Sequence, residues 1–169
     1  IEPILKTEGD SIPVSKIPAD GVFPTGLSKY EKRNIAIMVP KWDSSLCVQC
    51  GFCSFACPHA AILVKVSNKN DIKLSADLYN TVPAKGIPGA GADDVWRVQV
   101  APEDCTGCGV CQNICIGKNK ETGKKALEMV PKQEVFDSLK ETYTEFLRLP
   151  ETREDYINEN TVKGSQLKK

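Results

Sequence analysis

An α+β fold with a pseudo-twofold internal repeat is predicted by three features of the sequence. Two cysteine runs of one form, C-x2-C-x2-C-x3-C, fall at Cys47, Cys50, Cys53 and Cys57 and again at Cys105, Cys108, Cys111 and Cys115, and they use all eight cysteines. Each run lies between two short apolar segments of strand character. Gly51 and Gly109 hold the same place in each copy. A repeat this short reads as two halves of one fold and not as two domains.

Taken in order, residues 1–33 carry Pro3, Pro13, Pro18 and Pro24 with Gly9, Gly21 and Gly26 and show no sustained period, so they read as an extended arm or linker. Residues 34–132 form the two-copy domain. Its first strand is expected in the apolar run Asn34 to Val39, feeding Pro40-Lys41-Trp42-Asp43 and the first motif. Ala60 to Val66 is rich in β-branched residues and predicts a strand after one helical turn. Residues 67–94 turn from polar to Gly/Pro-rich, with Pro83, Gly86, Pro88, Gly89 and Gly91, and read as a loop insertion without a core element. Val95 to Val100 alternates as an edge strand would, broken by Arg97. Ala126 to Val130 takes the strand position after the second motif. From Glu134 to Arg148, Phe136, Leu139, Tyr143, Phe146 and Leu147 fall at helical spacing. Residues 133–169 are thus an amphipathic helix, ended by Pro150, and a C-terminal linker.

Lys and Arg number 22 and Asp and Glu number 22. That balance argues against a nucleic-acid partner bound through phosphate neutralisation. No stretch approaches the roughly 18 apolar residues of a membrane span, and Ile1-Glu2-Pro3 does not open a signal peptide. The expectation is a soluble, intracellular chain, where thiols stay reduced and serve metals better than disulfides. No G-x-G-x-x-G or Walker lysine follows a strand, and with every cysteine engaged no thiol is left for nucleophilic work. Catalytic residues are therefore expected to be none.

The spacing points to iron–sulfur clusters. A tight C-x2-C-x2-C turn wraps three corners of a cubane, and in two-cluster proteins the fourth cysteine ligates the other cluster. The expected sets are Cys47, Cys50, Cys53 with Cys115, and Cys105, Cys108, Cys111 with Cys57, each around one [4Fe–4S] cluster. Zinc is the alternative, but structural zinc usually takes paired cysteines with a distant second pair. Gly51 and Gly109 are read as turns where a Cβ would crowd amides aimed at sulfur. Val48, Phe52, Phe55, Ile62, Val110 and Ile114 are expected to shield the clusters. Pro58 follows Cys57 as in the bacterial run, whereas Ile116 follows Cys115. His59 reads as a partly exposed side chain, and Trp42 and Trp96 as packing over the cluster lobe. Lys65, Lys69, Lys73, Arg97, Lys118, Lys120, Lys124 and Lys125 are candidates for balancing cluster charge or steering an acidic partner, with plain solvated surface as the equal alternative.

Beyond the cysteines, Ile12-Pro13-Val14-Ser15-Lys16-Ile17-Pro18-Ala19-Asp20-Gly21, Phe23-Pro24-Thr25-Gly26 and Tyr30-Glu31-Lys32-Arg33 resemble the run that precedes the ferredoxin-like domain of pyruvate:ferredoxin oxidoreductases. Cys57-Pro58-His59-Ala60-Ala61-Ile62 and Asp104-Cys105-Thr106-Gly107-Cys108-Gly109-Val110-Cys111 are similar to the family as well, and Val162-Lys163-Gly164-Ser165-Gln166 resembles the lead-in to its thiamine diphosphate domain. The resemblance implies a bacterial-type 2[4Fe–4S] ferredoxin-like domain inside a large, dimeric, cytoplasmic enzyme that decarboxylates pyruvate with coenzyme A and thiamine diphosphate. It implies that the two clusters pass electrons to external ferredoxin or flavodoxin. The thiamine diphosphate, the coenzyme A and a third cluster would belong to the remaining domains of that parent, with neither nucleic acid nor membrane as partner. A free-standing 2[4Fe–4S] ferredoxin is the alternative.

Overall fold

The computed structural model describes residues 2–22, 25–26 and 30–168; Phe23 and Pro24 of the resemblance run, and Lys169 of the tail, lie outside the described residues. The chain divides into two units, residues 1–33 and 34–169.

The first unit is an arm of separate turns. Helix α1, Glu2–Leu5, is one turn closed by a Lys6 to Glu2 ion pair at 2.7 Å, and 3-10 turns follow at Gly9–Ser11 and Val14–Lys16. None of the three buries a residue. Helices this short cannot pay for their own nucleation, so local geometry and the prolines hold them.

In the second unit, β1 (Met38–Trp42) pairs antiparallel with β5 (Leu127–Pro131), from Met38 opposite Pro131 to Trp42 opposite Leu127. Strand β2 (Ile62–Asn68) pairs antiparallel with β4 (Asp94–Val100), and β3 (Val82–Pro83) pairs with the other edge of β4. The first strand of the unit therefore meets the last, and the strand leaving the first motif meets the strand entering the second. Helices α2 (Phe52–Phe55) and α3 (Val110–Ile114) rise from the two motifs and pack on each other. Helix α4 (Lys132–Arg148) lies on β4, and α5 (Val162–Leu167) packs on α2 and β2.

Period-two alternation explains the layers. Ile62, Val64 and Val66 join Trp96, Val98 and Val100 in one core, whereas Lys65, Arg97 and Gln99 belong to the opposite face. Those three polar side chains are buried, which is tolerable only because each is bonded. Lys65 Nζ donates to the carbonyls of Phe146 and Leu149 at 3.1 and 3.0 Å and so caps the end of α4. Gln99 Nε2 donates to Leu139 O at 3.3 Å and Thr142 Oγ1 at 3.2 Å. Arg97 donates to Asn80 O and Gln99 Oε1 and stacks 3.9 Å from the Tyr79 ring centroid.

Five sequence expectations shift. Strand β1 begins at Met38 and not Asn34, because its partner β5 turns into α4 opposite Met38; Ile35 and Ile37 are 62% and 84% exposed. Strand β4 is central, not an edge, since β3 occupies its second side and all seven of its residues are buried. The insertion is not core-free: Tyr79 and Ile87 are buried, and Tyr79 packs with Phe146 and Leu149. The stripe of α4 is rotated, so that Thr142, Glu145 and Phe146 are buried while Leu147 is exposed. Glu145 is satisfied there by Arg148 and by the Lys73 N–H at 2.6 Å. The tail folds back: Thr161 caps α5 through the Gly164 N–H at 3.0 Å, and the Tyr156 hydroxyl donates to Asp94 at 2.8 Å.

Candidate metal centres

Each motif begins where a strand has delivered it. After β1, Asp43 caps a 3-10 turn at Ser44–Leu46 by accepting from the Ser45 N–H at 3.1 Å, and the bonds from Ser45 first, then Lys124, hold its carboxyl below the usual range. After β4, the Cys105 N–H bonds back to Ala101 O at 3.1 Å.

Both motifs then wind through two left-handed residues, Gln49 and Gly51 at φ 56° and 77°, and Gly107 and Gly109 at 75° and 74°. The winding turns amides toward sulfur. Gln49 N–H donates to Cys47 Sγ at 3.4 Å, Gly107 N–H to Cys105 Sγ at 3.4 Å, and Ala61 N–H to Cys57 Sγ at 3.3 Å. A non-glycine is held left-handed at 49 because its side chain is clamped: Nε2 donates to Pro83 O and Oε1 accepts from Lys85 N–H, both at 2.8 Å. At Gly107 a Cβ would stand 2.9 Å from Met38 O, so the close approach itself demands glycine. The other pair divides, with a close approach at Gly51 and open space at Gly109. A Cβ on Gly109 meets no protein atom within 4 Å, and on Gly51 it meets the backbone of Lys163 at 3.2 Å; the left-handed φ is what both positions share.

The eight cysteines fall into two groups around two cavities. One is lined by Cys57, Cys105, Cys108 and Cys111, the other by Cys47, Cys50, Cys53 and Cys115. Each wall thus takes three sulfurs from one motif and the last from the other. Cys53 and Cys111 are buried, Cys108 is exposed and the rest are half-buried. Burial first, and neighbouring sulfurs among the other causes, push the thiols of Cys47, Cys53, Cys105 and Cys111 up, Cys111 to about 12; Cys115 acts on Cys47 and Cys53, and Cys57 acts on Cys105 and Cys111. Among the described residues no three His, Cys, Asp or Glu groups close on a single-ion site. Four soft sulfur donors around a void, with amides aimed at sulfur, fit an iron–sulfur cluster.

The surroundings revise several roles. Ile62 is buried and lines the Cys57 cavity together with the more exposed Val110, and Val48, also exposed, lines the other cavity; Phe55 and Ile114 are exposed on this chain and line neither. His59 is exposed and borders the Cys57 cavity, while Trp42 and Trp96 are buried and line the other, as packing required. Lys65 and Arg97 are not free charges, being 4% and 5% exposed and spent on carbonyls. Lys125 likewise donates to Gln112 O and Asn113 O at the end of α3, Lys124 pairs with Asp43 and Lys69 with Asp93. The sequence reading missed Gln49, Lys163, and the buried pair in which Ser54 Oγ donates to Gln166 Oε1 at 3.0 Å. Gln49 was hidden because its partners are 34 and 36 residues away.

This arrangement defines an iron–sulfur electron-transfer domain, and residues 46–119 match the family described as a 4Fe–4S dicluster domain. Residues 1–36 match EKR, a domain of unknown function. The chain is 40% identical over 165 residues to the pyruvate-flavodoxin oxidoreductase of Nostoc sp., covering 97% of this chain and 14% of that protein. It is 42% identical over 168 residues to the pyruvate:ferredoxin oxidoreductase of Moorella thermoacetica, covering 99% and 14%. Similarity extends to the mitochondrial pyruvate dehydrogenase [NADP(+)] of Euglena gracilis, at 41% over 116 residues, 68% of this chain and 6% of that one. The chain belongs to the pyruvate:ferredoxin/flavodoxin oxidoreductase family, as a segment bearing its dicluster domain. It spans about 14% of the length of the first two of these relatives. Among the described residues no helix is long and apolar enough to cross a membrane.

Proposed function

We propose that the chain is the conducting segment of a pyruvate:ferredoxin or flavodoxin oxidoreductase, holding two [4Fe–4S] clusters between the thiamine diphosphate site of the parent and external ferredoxin or flavodoxin. The ligand sets are Cys47, Cys50, Cys53 and Cys115, and Cys105, Cys108, Cys111 and Cys57. The observation that carries this is the crossing of the motifs, three sulfurs from one and the last from the other around each cavity. The crossing also gives the two-copy, pseudo-twofold arrangement its purpose, since neither half encloses a cavity alone. A bound cluster supplies reversible one-electron storage. The chain's own part is to fix eight sulfurs, aim N–H groups at them and limit water at Cys53 and Cys111. No side chain here is assigned a bond-breaking step; decarboxylation with coenzyme A, and a third cluster, fall to the remaining domains of the parent. By the same carry-over the parent is dimeric and cytoplasmic, residues 1–33 are a linker, 34–132 the dicluster domain, and 133–169 a helix followed by a tail that folds back onto that domain through α5. The segment reading is preferred to a free ferredoxin because large relatives carry the whole stretch as 14% of their length.

Anaerobic reconstitution followed by redox-controlled EPR with spin quantitation tests the reading. Two low-potential centres whose lines split when both are reduced are expected, with no pyruvate oxidation by the segment alone. Folded protein with bound metal but no reducible signal would refute the cluster assignment, and pyruvate turnover without added subunits would refute the segment assignment.

A further inference from the structure

The two cavities differ in one respect that the paired motifs do not explain. Among the described residues, three buried side-chain polar atoms lack a hydrogen-bond partner: Trp42 Nε1, Trp96 Nε1 and the Tyr79 hydroxyl. Tyr79 lines neither cavity, but both tryptophans line the one formed by Cys47, Cys50, Cys53 and Cys115. Trp42 is 8% exposed and Trp96 is fully buried. Buried N–H groups almost always find an acceptor, and an indole offers nothing but a donor. Two such orphans on one wall call for acceptors inside that wall.

Each indole also carries a cation on its ring. The Arg97 guanidinium stands 5.9 Å from the Trp42 centroid and Lys163 Nζ stands 5.9 Å from that of Trp96. A cation against the π-face draws electron density from the ring, which strengthens the N–H as a donor. Neither cation is a surface accident: Arg97 is buried in the central strand, and Lys163 is held to Lys85 O at 2.8 Å. The opposite cavity has no tryptophan on its wall.

We propose that Trp42 and Trp96 are positioning residues for the cluster held by Cys47, Cys50, Cys53 and Cys115, donating their indole N–H groups to its sulfur atoms and raising its reduction potential. Donors to sulfur stabilise the added negative charge of the reduced state, and so offset the apolar burial of this site. Reduction adds one electron from an external reductant and transfers no atom. The inference rests on the dicluster reading proposed above.

The test is a redox titration of the cluster-loaded protein and of its Trp42→Phe and Trp96→Phe variants, which keep an aromatic ring and lose the N–H. The centre is assigned by Cys50→Ser, which alters the spectrum of the set containing Cys50. Losing one donor should weaken reduction of that centre about tenfold, or about 59 mV for one electron, and leave the other centre unmoved. Because a substituted core could fail to load, wild-type protein with 15N-labelled indole is examined in parallel by pulsed EPR. It should show coupling of indole nitrogen to the same centre and not to the other. Unchanged potentials in both variants, a shift confined to the other centre, or no indole coupling would overturn the inference while leaving the dicluster reading intact. Absence of any reducible centre would overturn both.

Discussion

The two motifs share a spacing and a backbone path, yet the rest of the chain treats them differently. The first is wrapped. Gln49 is clamped by Pro83 and Lys85 of the insertion, the backbone of Lys163 lies against Gly51, and Ser54 is bonded to Gln166 of α5. The second is open. Gly109 has no protein atom within 4 Å of where its Cβ would be, Cys108 is exposed, and α3 is steadied from within its own half by Lys125 and by the Met129 N–H on Gln112 Oε1 at 2.6 Å. Four cysteines at fixed spacing therefore mark each motif, while its accessibility is set by segments far away in sequence. An electron carrier needs one protected side and one approachable side, and a repeat can supply both only if something outside it breaks the symmetry.

The largest effects should come from removing the exchanged ligands. Cys115→Ala and Cys57→Ala should each drop iron from about eight to about four or fewer per chain, with the loss centred on the motif that does not contain the substitution. Iron analysis with EPR decides it, and intact signals from the opposite motif would sink the crossed assignment. Next comes the glycine pair. Gly107→Ala should cost about 2–4 kcal/mol, because strain in a left-handed residue adds to a clash with Met38 O, whereas Gly109→Ala carries the strain alone, about 1–2 kcal/mol. Urea-driven loss of cluster absorbance measures both; equal costs would mean that Met38 O gives way and adds nothing to the left-handed strain at Gly107.

A smaller effect belongs to the strap between α4 and the insertion. Bonds from Arg148 first, and from the Lys73 N–H, pull Glu145 down to about 2 from its usual 4.5, in spite of its burial. A carboxyl lowered in the fold contributes stability that is complete above its unfolded value and is lost as pH falls from about 4.5 toward about 2. Glu145→Gln should be destabilised by about 1–3 kcal/mol at neutral pH and should lose that part of the acid dependence. Amide exchange around Lys73 and Leu74 across that range reads it, and an unchanged acid limb would exclude Glu145 as its source. Smallest is Gln166→Ala, at about 1 kcal/mol, which should speed amide exchange in α5 and leave α3 unaffected. Equal acceleration in both helices would erase the distinction between wrapped and open halves.

The gathering of three cysteines of each run on one cavity wall was legible in the sequence because close spacing keeps them in one turn, and the strands beside them because β-branched residues cluster at 62–66 and 95–100. What it concealed was long-range. Val95 to Val100 looked like an edge because Arg97 interrupts the apolar alternation, but a guanidinium is tolerated centrally when Asn80, Gln99 and Tyr79 converge on it. Residues 67–94 looked like a loop without a core element because Gly and Pro gather in their second half, and composition says nothing of a two-residue strand or of one buried Tyr79. In α4, reading every large apolar side chain at helical spacing as core placed Leu147 inside; Glu145 took part of that face through bonds to residues 3 and 72 positions away. The tail resembled a linker because six residues are too few for a periodic signal, and α5 is stabilised by its contacts with α2 and β2.

The pairing of β1 with β5 has a consequence for how the protein is made. Strand β1 leaves the ribosome well before β5, Leu127–Pro131, its one partner strand among the described residues, so most of the domain must be synthesised before that two-stranded sheet can close. At about 5–20 residues per second, the first motif waits several seconds, with its thiols exposed and β1 unpaired. During that interval the nascent chain must be kept from oxidation and from pairing with a neighbour's strand, and metal delivered too early would find three sulfurs of a set whose last member has not yet been translated.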